Sequence, residues 1–166
     1  MATPKRPTIP VVTGVGSGAT ALAAFDAALR AAGVANFNLI RLSSVIPPHT
    51  EVDADGRSPL PTGGWGDRLY CVYAEQRAST PGEQVWAGIG WVQRRDGAGG
   101  LFVEHEGGSE EFVRKVIRAS LADLVAGRPE LFGPPQEVVV GVTCVDAPVC
   151  ALVLAAYETA GWDFVR

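Results

Sequence analysis

Two adjacent serines, Ser43 and Ser44, stand near the centre of the stretch NLIRLSSVIPPHT, which covers residues 38–50. Serine hydroxyls are potential nucleophiles when the local geometry or a nearby base activates them. A turn needs only one small polar residue, and Pro47 and Pro48 already end any helix or central strand at this point. Serines before prolines are usually turn residues, however, so the pair by itself leaves both interpretations open.

Two further polar side chains could assist chemistry at the serines. Asn38 precedes Ser44 by six residues, and alternate residues of an extended strand point to the same face. Its amide could therefore hydrogen-bond a carbonyl or an oxyanion beside the serine, although a turn-capping role at a strand start fits equally well. Glu104, in the pattern GLFVE, shares a strand face with Phe102 and Glu106. A carboxyl group beside an aromatic ring can have a raised pKa and donate a proton near neutral pH, whereas Glu106 fits an exposed sheet carboxylate better.

Other site motifs are weak or absent in this sequence. The loop GVGSGAT (residues 14–20) follows a predicted strand, but its glycines are spaced G-x-G-x-G and no acid lies between Asp26 and Glu51. A flexible glycine turn therefore accounts for it better than a dinucleotide site. His49 and His105 lack Cys, His or Asp partners at ligand spacing, which argues against a metal site. No G-x-S-x-G elbow is present, which argues against a Ser-His-Asp triad.

The composition indicates one folded domain. The chain has 166 residues, of which 47% are hydrophobic and 19% charged, values that suit a single core and argue against disorder. The net charge is −4 and no dense cluster of Lys and Arg occurs, so no nucleic-acid partner is expected. Cys71, Cys144 and Cys150 form no C-x-x-C pair and are expected to be reduced, mostly buried thiols. No apolar run approaches the ~18 residues of a membrane helix and no secretory signal is evident, so a soluble cytoplasmic protein is predicted.

The hydrophobic pattern predicts about six strands and three helices. Strands are expected at residues 8–12, 36–42, 68–76, 84–93, 100–106 and 136–145, the last of them buried. Helices are expected at residues 20–32, between Ser109 and Gly127, and at residues 147–160. The first helix has an apolar stripe that contains Leu22, Phe25, Leu29 and Ala32. A long Gly/Pro loop covers residues 53–67, and the three consecutive strands after it favour a mixed or antiparallel sheet in one α+β domain.

The stretch AFDAALRAAGVANFNLIRLSSVIPP closely resembles the pyruvoyl-dependent arginine decarboxylase family. That family shows an A-F-D helix, an A-G-(I/V)-x-N-x-N-L strand entry and a self-cleaving S-S-(I/V)-x-P segment. The resemblance continues in LPTGG (residues 60–64), AGIGW (87–91) and GLFVE (100–104), and it spans about residues 8–157 in the expected order. It implies a four-layer αββα sandwich with mixed or antiparallel sheets, in a single domain that covers residues 1–166.

The resemblance also implies how the serines react. In this family the Ser44 hydroxyl attacks the Ser43 carbonyl, and the resulting ester eliminates to dehydroalanine, which hydrolyses to a pyruvoyl group and ammonia. Self-cleavage would leave a β chain of residues 1–43 and an α chain of residues 44–166, which carries the covalent cofactor. The pyruvoyl ketone binds the substrate amine as a Schiff base and acts as the electron sink when CO2 leaves. No metal and no pyridoxal phosphate are expected.

The family motif assigns roles to individual residues. The residues with catalytic roles are Ser43, Ser44, Asn38 and Glu104. The residues with substrate-binding roles are Asp26, Leu22 and Val45. Glu104 is expected to protonate the carbanion and to assist processing, and the Asp26 carboxylate is expected to recognise the substrate guanidinium. Without the resemblance, Asp26 is simply an i,i+4 partner of Arg30, a pair worth only ~0.2–0.5 kcal/mol.

The function that the resemblance implies is self-processing followed by conversion of L-arginine to agmatine and CO2. The family assembles as a homotrimer, or as a hexamer of two trimers, with active sites between neighbouring subunits. A decarboxylase of lysine, ornithine or histidine remains an alternative, and so does a non-catalytic trimeric binding protein on the same fold. A nucleotide-binding module built on the glycine loop would predict ATP or NAD affinity, which is not expected. No membrane partner is expected either.

Overall fold

The computed structural model describes residues 6–165 of the chain. This range contains two α-helices, α1 (Ala21–Ala32) and α2 (Glu110–Ala126). Its nine strands are β1 (Thr8–Ser17), β2 (Asn38–Arg41), β3 (Val45–Ile46), β4 (Glu51–Asp53), β5 (Arg68–Ala78), β6 (Gln84–Gln93), β7 (Gly100–Gly107), β8 (Gln136–Thr143) and β9 (Val149–Ala160). A 3-10 turn, Asp163–Val165, follows β9. The ends of the predicted single domain, residues 1–5 and residue 166, lie outside the described residues.

The strands form two sheets that pack face to face, and one helix covers the outer face of each. The first sheet has the order β2-β5-β9-β1-β4, and the second has the order β3-β7-β6-β8. One buried cluster joins the two sheets, a second joins α1 to the first sheet, and a third joins α2 to the second sheet. The strands β1 and β4, like β2 and β5, pair in parallel, and the other pairs are antiparallel. The predicted α+β class and αββα sandwich with mixed sheets are confirmed.

The predicted third helix is wrong, because residues 149–160 form the strand β9. This strand lies in the middle of the first sheet between β5 and β1, and residues 149–156 are all buried. A strand covered on both faces shows a continuous apolar run rather than alternation, and such a run cannot be told from a buried helix by its pattern. Its alanines and leucines favour helix by intrinsic propensity, which the burial of the sheet overrides.

The predicted glycine turn is also wrong, because β1 continues through Gly14 and Gly16 to Ser17. These glycines form the surface on which α1 packs. A Cβ atom at Gly14 would lie 2.0 Å from the Ala28 carbonyl oxygen, and one at Gly16 would lie 2.3 Å from the Ala28 nitrogen. The glycine spacing therefore serves close contact between a strand and a helix rather than a turn or a phosphate site.

Both helices begin and end where the sequence predicts. Thr20 and Ser109 accept hydrogen bonds from backbone N–H groups three residues ahead, and Gly33 is the left-handed residue at the end of α1. The predicted apolar stripe of α1 is only partly right, because Leu22 is 67% exposed. Small alanines form most of the buried face of α1, which lets the helix approach β1 closely.

Two strand predictions need smaller corrections. The strand β8 was expected to be buried, but it is the edge of the second sheet and its residues are half-buried or exposed. The short strands β3 and β4 were not predicted. The three cysteines are free and buried, as expected. No helix among residues 6–165 is long and apolar enough to cross a membrane. The cytoplasmic location stays a prediction.

Candidate active site

Ser44 lies where the chain crosses from the first sheet to the second. The strand β2 ends at Arg41, and the Leu42 N–H continues its pairing with β5 by donating to the Cys71 carbonyl at 2.9 Å. The chain then enters β3, which pairs with β7 in the second sheet. Ser44 makes the bend with φ 70°, a left-handed conformation that costs a non-glycine residue about 1–2 kcal/mol.

Two hydrogen bonds hold the backbone on the downstream side of this bend. The Phe102 N–H of β7 donates to the Ser44 carbonyl at 2.9 Å. The Tyr157 hydroxyl of β9 donates to the Val45 carbonyl at 3.0 Å. One bond comes from each sheet, so the strained residue is fixed by the packing of both sheets. The surroundings over-determine the unfavourable φ angle, which is the usual condition for strain to persist at functional sites.

The Ser44 side chain bonds to an acid whose proton affinity is raised. Its hydroxyl donates to the Glu104 carboxylate with an Oγ to Oε1 distance of 2.5 Å. Burial raises the pKa of Glu104, and the Ser44 hydrogen bond and the nearby Arg41 charge only partly counteract that rise. A carboxyl group that exchanges a proton closer to neutral pH, in contact with a serine hydroxyl, can act as a general acid or base for that hydroxyl.

Arg41 lies beside this pair without forming an ion pair with Glu104. Its guanidinium stacks over the Tyr73 ring, with the Cζ atom 4.1 Å from the ring centroid. Its Nη2 group also donates to the Tyr73 carbonyl. These contacts fix a positive charge near Glu104, which lowers the pKa of the carboxyl group against the effect of burial.

Ser44 and Glu104 line two cavities. One has a volume of about 480 Å³ and is also lined by Arg41, Tyr73, Glu75 and Glu106. The other, on the side of α2, has a volume of about 470 Å³ and is also lined by Ser43, Val45 and His105. Either volume lies within the range of small-molecule sites. Three carboxyl groups and the Arg41 guanidinium line the first cavity, and one of these carboxyl groups, that of Glu75, is paired with Arg77.

The remaining predicted residues lie elsewhere in this chain. Asp26 is exposed on α1, where the Arg30 Nε donates to its Oδ2 at 3.0 Å, so the i,i+4 pair is present. Leu22 is exposed on the same helix, and neither residue lines the cavities beside Ser44. Val45 follows Ser44 and is 59% exposed.

The strand alternation from which Asn38 was expected to share a face with Ser44 does not extend as far as Ser44. The extended run ends at Arg41, and the left-handed Ser44 breaks the two-residue period. The Asn38 amide instead donates from Nδ2 to the Gly66 carbonyl at 2.7 Å. Gly66 ends the long Gly/Pro loop, so this bond ties the start of β2 to that loop.

Sequence reasoning did not identify two side chains of this region. Tyr157 lies in the segment that was predicted to be helical, so its position opposite Val45 could not be foreseen. Tyr73 lies on β5, and only the pairing of β5 with β2 brings it next to Arg41. Among residues 6–165, no group of three or more His, Cys, Asp or Glu side chains could hold a metal ion.

Comparison with known proteins gives a consistent result. The family model described as pyruvoyl-dependent arginine decarboxylase matches residues 8–158. A protein of that name from Halobacterium salinarum is 45% identical over 98 residues, which are 59% of this chain and 59% of the relative. A relative of the same name from Methanocaldococcus jannaschii is 37% identical, over 67% of this chain and 66% of its own length. Another from Thermococcus kodakarensis is 38% identical, over 69% of this chain and 73% of its own length. The chain thus spans about six tenths of the length of the Halobacterium relative that it matches.

Proposed function

The chain belongs to the pyruvoyl-dependent arginine decarboxylase family, and from this premise we propose that it cleaves itself and converts L-arginine to agmatine and CO2. The observation that carries the proposal is the strained Ser44, whose hydroxyl donates to a half-buried Glu104 with a raised pKa. The names of the relatives favour arginine over lysine, ornithine or histidine as the substrate. The contact between Ser44 and Glu104 favours an enzyme over a binding protein, because a scaffold does not need it.

Self-cleavage would begin with attack of the Ser44 Oγ on the Ser43 carbonyl carbon, while Glu104 takes the hydroxyl proton across the existing hydrogen bond. The peptide C–N bond then breaks, the Ser44 nitrogen gains a proton, and an ester joins the two residues. Loss of the Ser44 Cα proton expels the Ser43 carboxylate from Cβ and leaves dehydroalanine. Water then releases ammonia from Cα, and the products are residues 1–43 and the pyruvoyl-capped residues 44–166.

The conformation of Ser44 fits the conversion to a pyruvoyl group. A left-handed residue with a Cβ is disfavoured by about 1–2 kcal/mol, and breaking the peptide bond before Ser44 removes the φ torsion that carries this strain. Residue 44 is half-buried beside Glu104 at the edge of the cavity of about 480 Å³. When present, the pyruvoyl ketone supplies the electron sink for the carbanion left by CO2. Glu104 would hold the proton that this carbon receives, and the reaction would need neither a metal nor pyridoxal phosphate.

Recognition of arginine is proposed to involve a second copy of the chain. Asp26 and Leu22 lie on α1, on the outer face of the first sheet, and they do not line the cavities beside Ser44. A substrate held by both Ser44 and Asp26 therefore fits a site between subunits of the expected homotrimer, or of a hexamer of two trimers. Val45 and Leu22 would supply apolar contacts there. The catalytic role of Asn38 stays a prediction, because its amide donates to the Gly66 carbonyl at the start of β2.

The decisive experiment is the intact mass of the purified protein under denaturing conditions. We expect two chains that divide after Ser43, the larger being lighter than unmodified residues 44–166 by one ammonia. The Ser44→Ala variant lacks the nucleophile and serves as the control, which should give a single full-length mass. Incubation with arginine, lysine, ornithine and histidine in parallel should release CO2 and amine chiefly from arginine. A wild-type protein that keeps its full-length mass would refute the proposed function.

A further inference from the structure

Tyr157 contacts the segment around Ser44, but it takes no part in the proton transfer from Ser44 to Glu104 or in the attack on the Ser43 carbonyl. It lies near the end of β9, and its hydroxyl donates to the Val45 carbonyl at 3.0 Å. Val45 is the residue immediately after Ser44, so the bond fixes the peptide group next to the reacting serine. The Tyr157 hydroxyl therefore restrains the backbone one residue after the serine that would react.

The ring of Tyr157 is held in a defined orientation. It meets the buried Phe102 ring edge to face, with the centroids 6.1 Å apart, and such pairs are favourable beyond simple burial. The backbone N–H of the same Phe102 donates to the Ser44 carbonyl. Tyr157 and Phe102 therefore hold two successive carbonyl groups, those of Val45 and Ser44, and their mutual contact makes the two restraints one unit.

The Tyr157 hydroxyl is available as a donor wherever the protein is folded. Burial raises the pKa of Tyr157, and the neighbouring Glu104 charge raises it further. The phenol therefore stays protonated at and above neutral pH, and its proton remains directed to the Val45 carbonyl. This property is consistent with a lasting structural restraint on the segment and not with a group that exchanges protons during the reaction.

We propose that Tyr157 is a positioning residue for self-cleavage, which holds the Val45 carbonyl and thereby keeps Ser44 in the left-handed conformation with its hydroxyl on Glu104. The inference rests on the proposed function, because it needs Ser44 to be the residue that reacts. Left-handed φ angles are sparsely populated by residues with a Cβ, so a free chain would visit this geometry only part of the time. Fixing the next carbonyl raises the fraction of time in which hydroxyl and acid are correctly placed.

The test compares self-cleavage rates after synthesis in a cell-free system, where conversion of full-length chain to the two products is followed by intact mass. The Tyr157→Phe variant keeps the ring and loses only the hydroxyl. The matched control is Thr159→Val, which removes another β9 hydroxyl that donates to a loop carbonyl, that of Thr62 at 2.5 Å. We expect cleavage to be about tenfold slower in Tyr157→Phe and unchanged in Thr159→Val. A tenfold change in rate corresponds to the typical contribution of one hydrogen bond.

Melting temperatures separate positioning from stability. If Tyr157 has only a structural role, cleavage should slow in Tyr157→Phe and Thr159→Val in proportion to the fall in melting temperature of each variant. If Tyr157 is a positioning residue, only Tyr157→Phe should cleave slowly, even when the two variants lose a similar amount of melting temperature. A second variant carries 3-fluorotyrosine at position 157, which keeps a hydroxyl of stronger donor character and should cleave at least as fast as the wild type. Slow cleavage of the fluorotyrosine protein, or wild-type cleavage of Tyr157→Phe, would overturn the role of Tyr157. A wild-type chain that never cleaves refutes the proposed function itself, and with it this inference.

Discussion

The raised pKa of Glu104 predicts a pH-dependent stability difference in a chain that cannot cleave. The Ser44→Ala variant provides that chain and removes the hydroxyl that donates to Glu104 at 2.5 Å. Burial, the main cause of the raised pKa, remains, and only the Arg41 charge and a backbone hydrogen bond are left to oppose it. The pKa of Glu104 should therefore rise further in Ser44→Ala. Adding Glu104→Gln replaces the ionisable group by a neutral one of nearly the same shape.

The sign of the effect follows from which state ionises first. Below the ordinary glutamate pKa of about 4.3, the carboxyl group is protonated in both the folded and the unfolded chain, and the two variants should be similarly stable. As the pH rises, the unfolded chain ionises first, and the protein with Glu104 loses up to about 1.4 kcal/mol per pH unit until the folded pKa is passed. The Gln variant has no such loss.

The size of the stability difference between Ser44→Ala and Ser44→Ala/Glu104→Gln depends on the hydrogen bond from Ser44 to Glu104, which both variants lack. In the unmutated chain Glu104 already ionises less readily than a free glutamate, so its charge is not fully compensated even with the Ser44 donor. A hydrogen bond to a charged group contributes about 1.5–3 kcal/mol, and Ser44→Ala removes it. We expect Ser44→Ala/Glu104→Gln to be more stable than Ser44→Ala by about this amount at pH 8, with the difference shrinking towards zero at pH 4.

Urea unfolding at equal protein concentration from pH 4 to pH 8 measures the difference, because association would otherwise shift the midpoints. The matched control is Glu106→Gln in the same Ser44→Ala background, since Glu106 lies on the same strand but is exposed. Its stability difference should stay small across the range. A difference for Glu104 that is constant with pH, or that reverses in favour of glutamate at high pH, would show that the burial argument is wrong.

Two further predictions concern α1. Asp26→Asn should raise KM for arginine about tenfold or more, because a charged bidentate contact is lost, and should leave the cleavage products unchanged. The control is Arg30→Gln, which breaks only the surface pair. Full arginine activity of Asp26→Asn would contradict guanidinium recognition. Gly16→Ala should lower the free energy of unfolding by about 1–3 kcal/mol in urea titrations, because its Cβ would lie 2.3 Å from the Ala28 nitrogen. Gly108→Ala, which meets nothing closer than 3.9 Å, should cost little, and equal losses would refute the packing account.

Local signals were sufficient to predict α1 and α2, because helix ends are determined by nearby residues, but they also predicted a helix at residues 147–160 that does not form. The side chains of Thr20 and Ser109 satisfy backbone N–H groups within three residues, and Gly33 supplies the left-handed end of α1. The strand β9 could not be identified in this way. Its burial comes from β5 and β1 on either side and from α1 and the second sheet on its faces, which are contacts between residues far apart in the sequence.

The sequence could predict which residues belong to the candidate site, but not how they are arranged in space. The resemblance of the serine segment and of GLFVE to one family selected Ser44 and Glu104, which are 60 residues apart. Their contact depends on the chain crossing between the sheets at Ser44, and the two-residue strand β3 that follows leaves almost no pattern in the sequence. The same crossing ends the extended run before Ser44, so alternation along β2 says nothing about the relation between Asn38 and Ser44.

The layers of the fold separate the two parts of the proposed chemistry. The groups that would act in self-cleavage, Ser44 with Glu104 and the restraints from Phe102 and Tyr157, meet at the edge of the interface between the two sheets. Asp26 lies on the outer face of the first sheet, where its carboxylate is exposed to solvent and pairs only weakly with Arg30. A weak surface pair is easily exchanged for a substrate guanidinium, whereas the half-buried and strained Ser44 is not easily rearranged. If the proposed function is right, the residues of self-cleavage are held rigidly, whereas the Asp26 contact that would recognise the substrate can be exchanged.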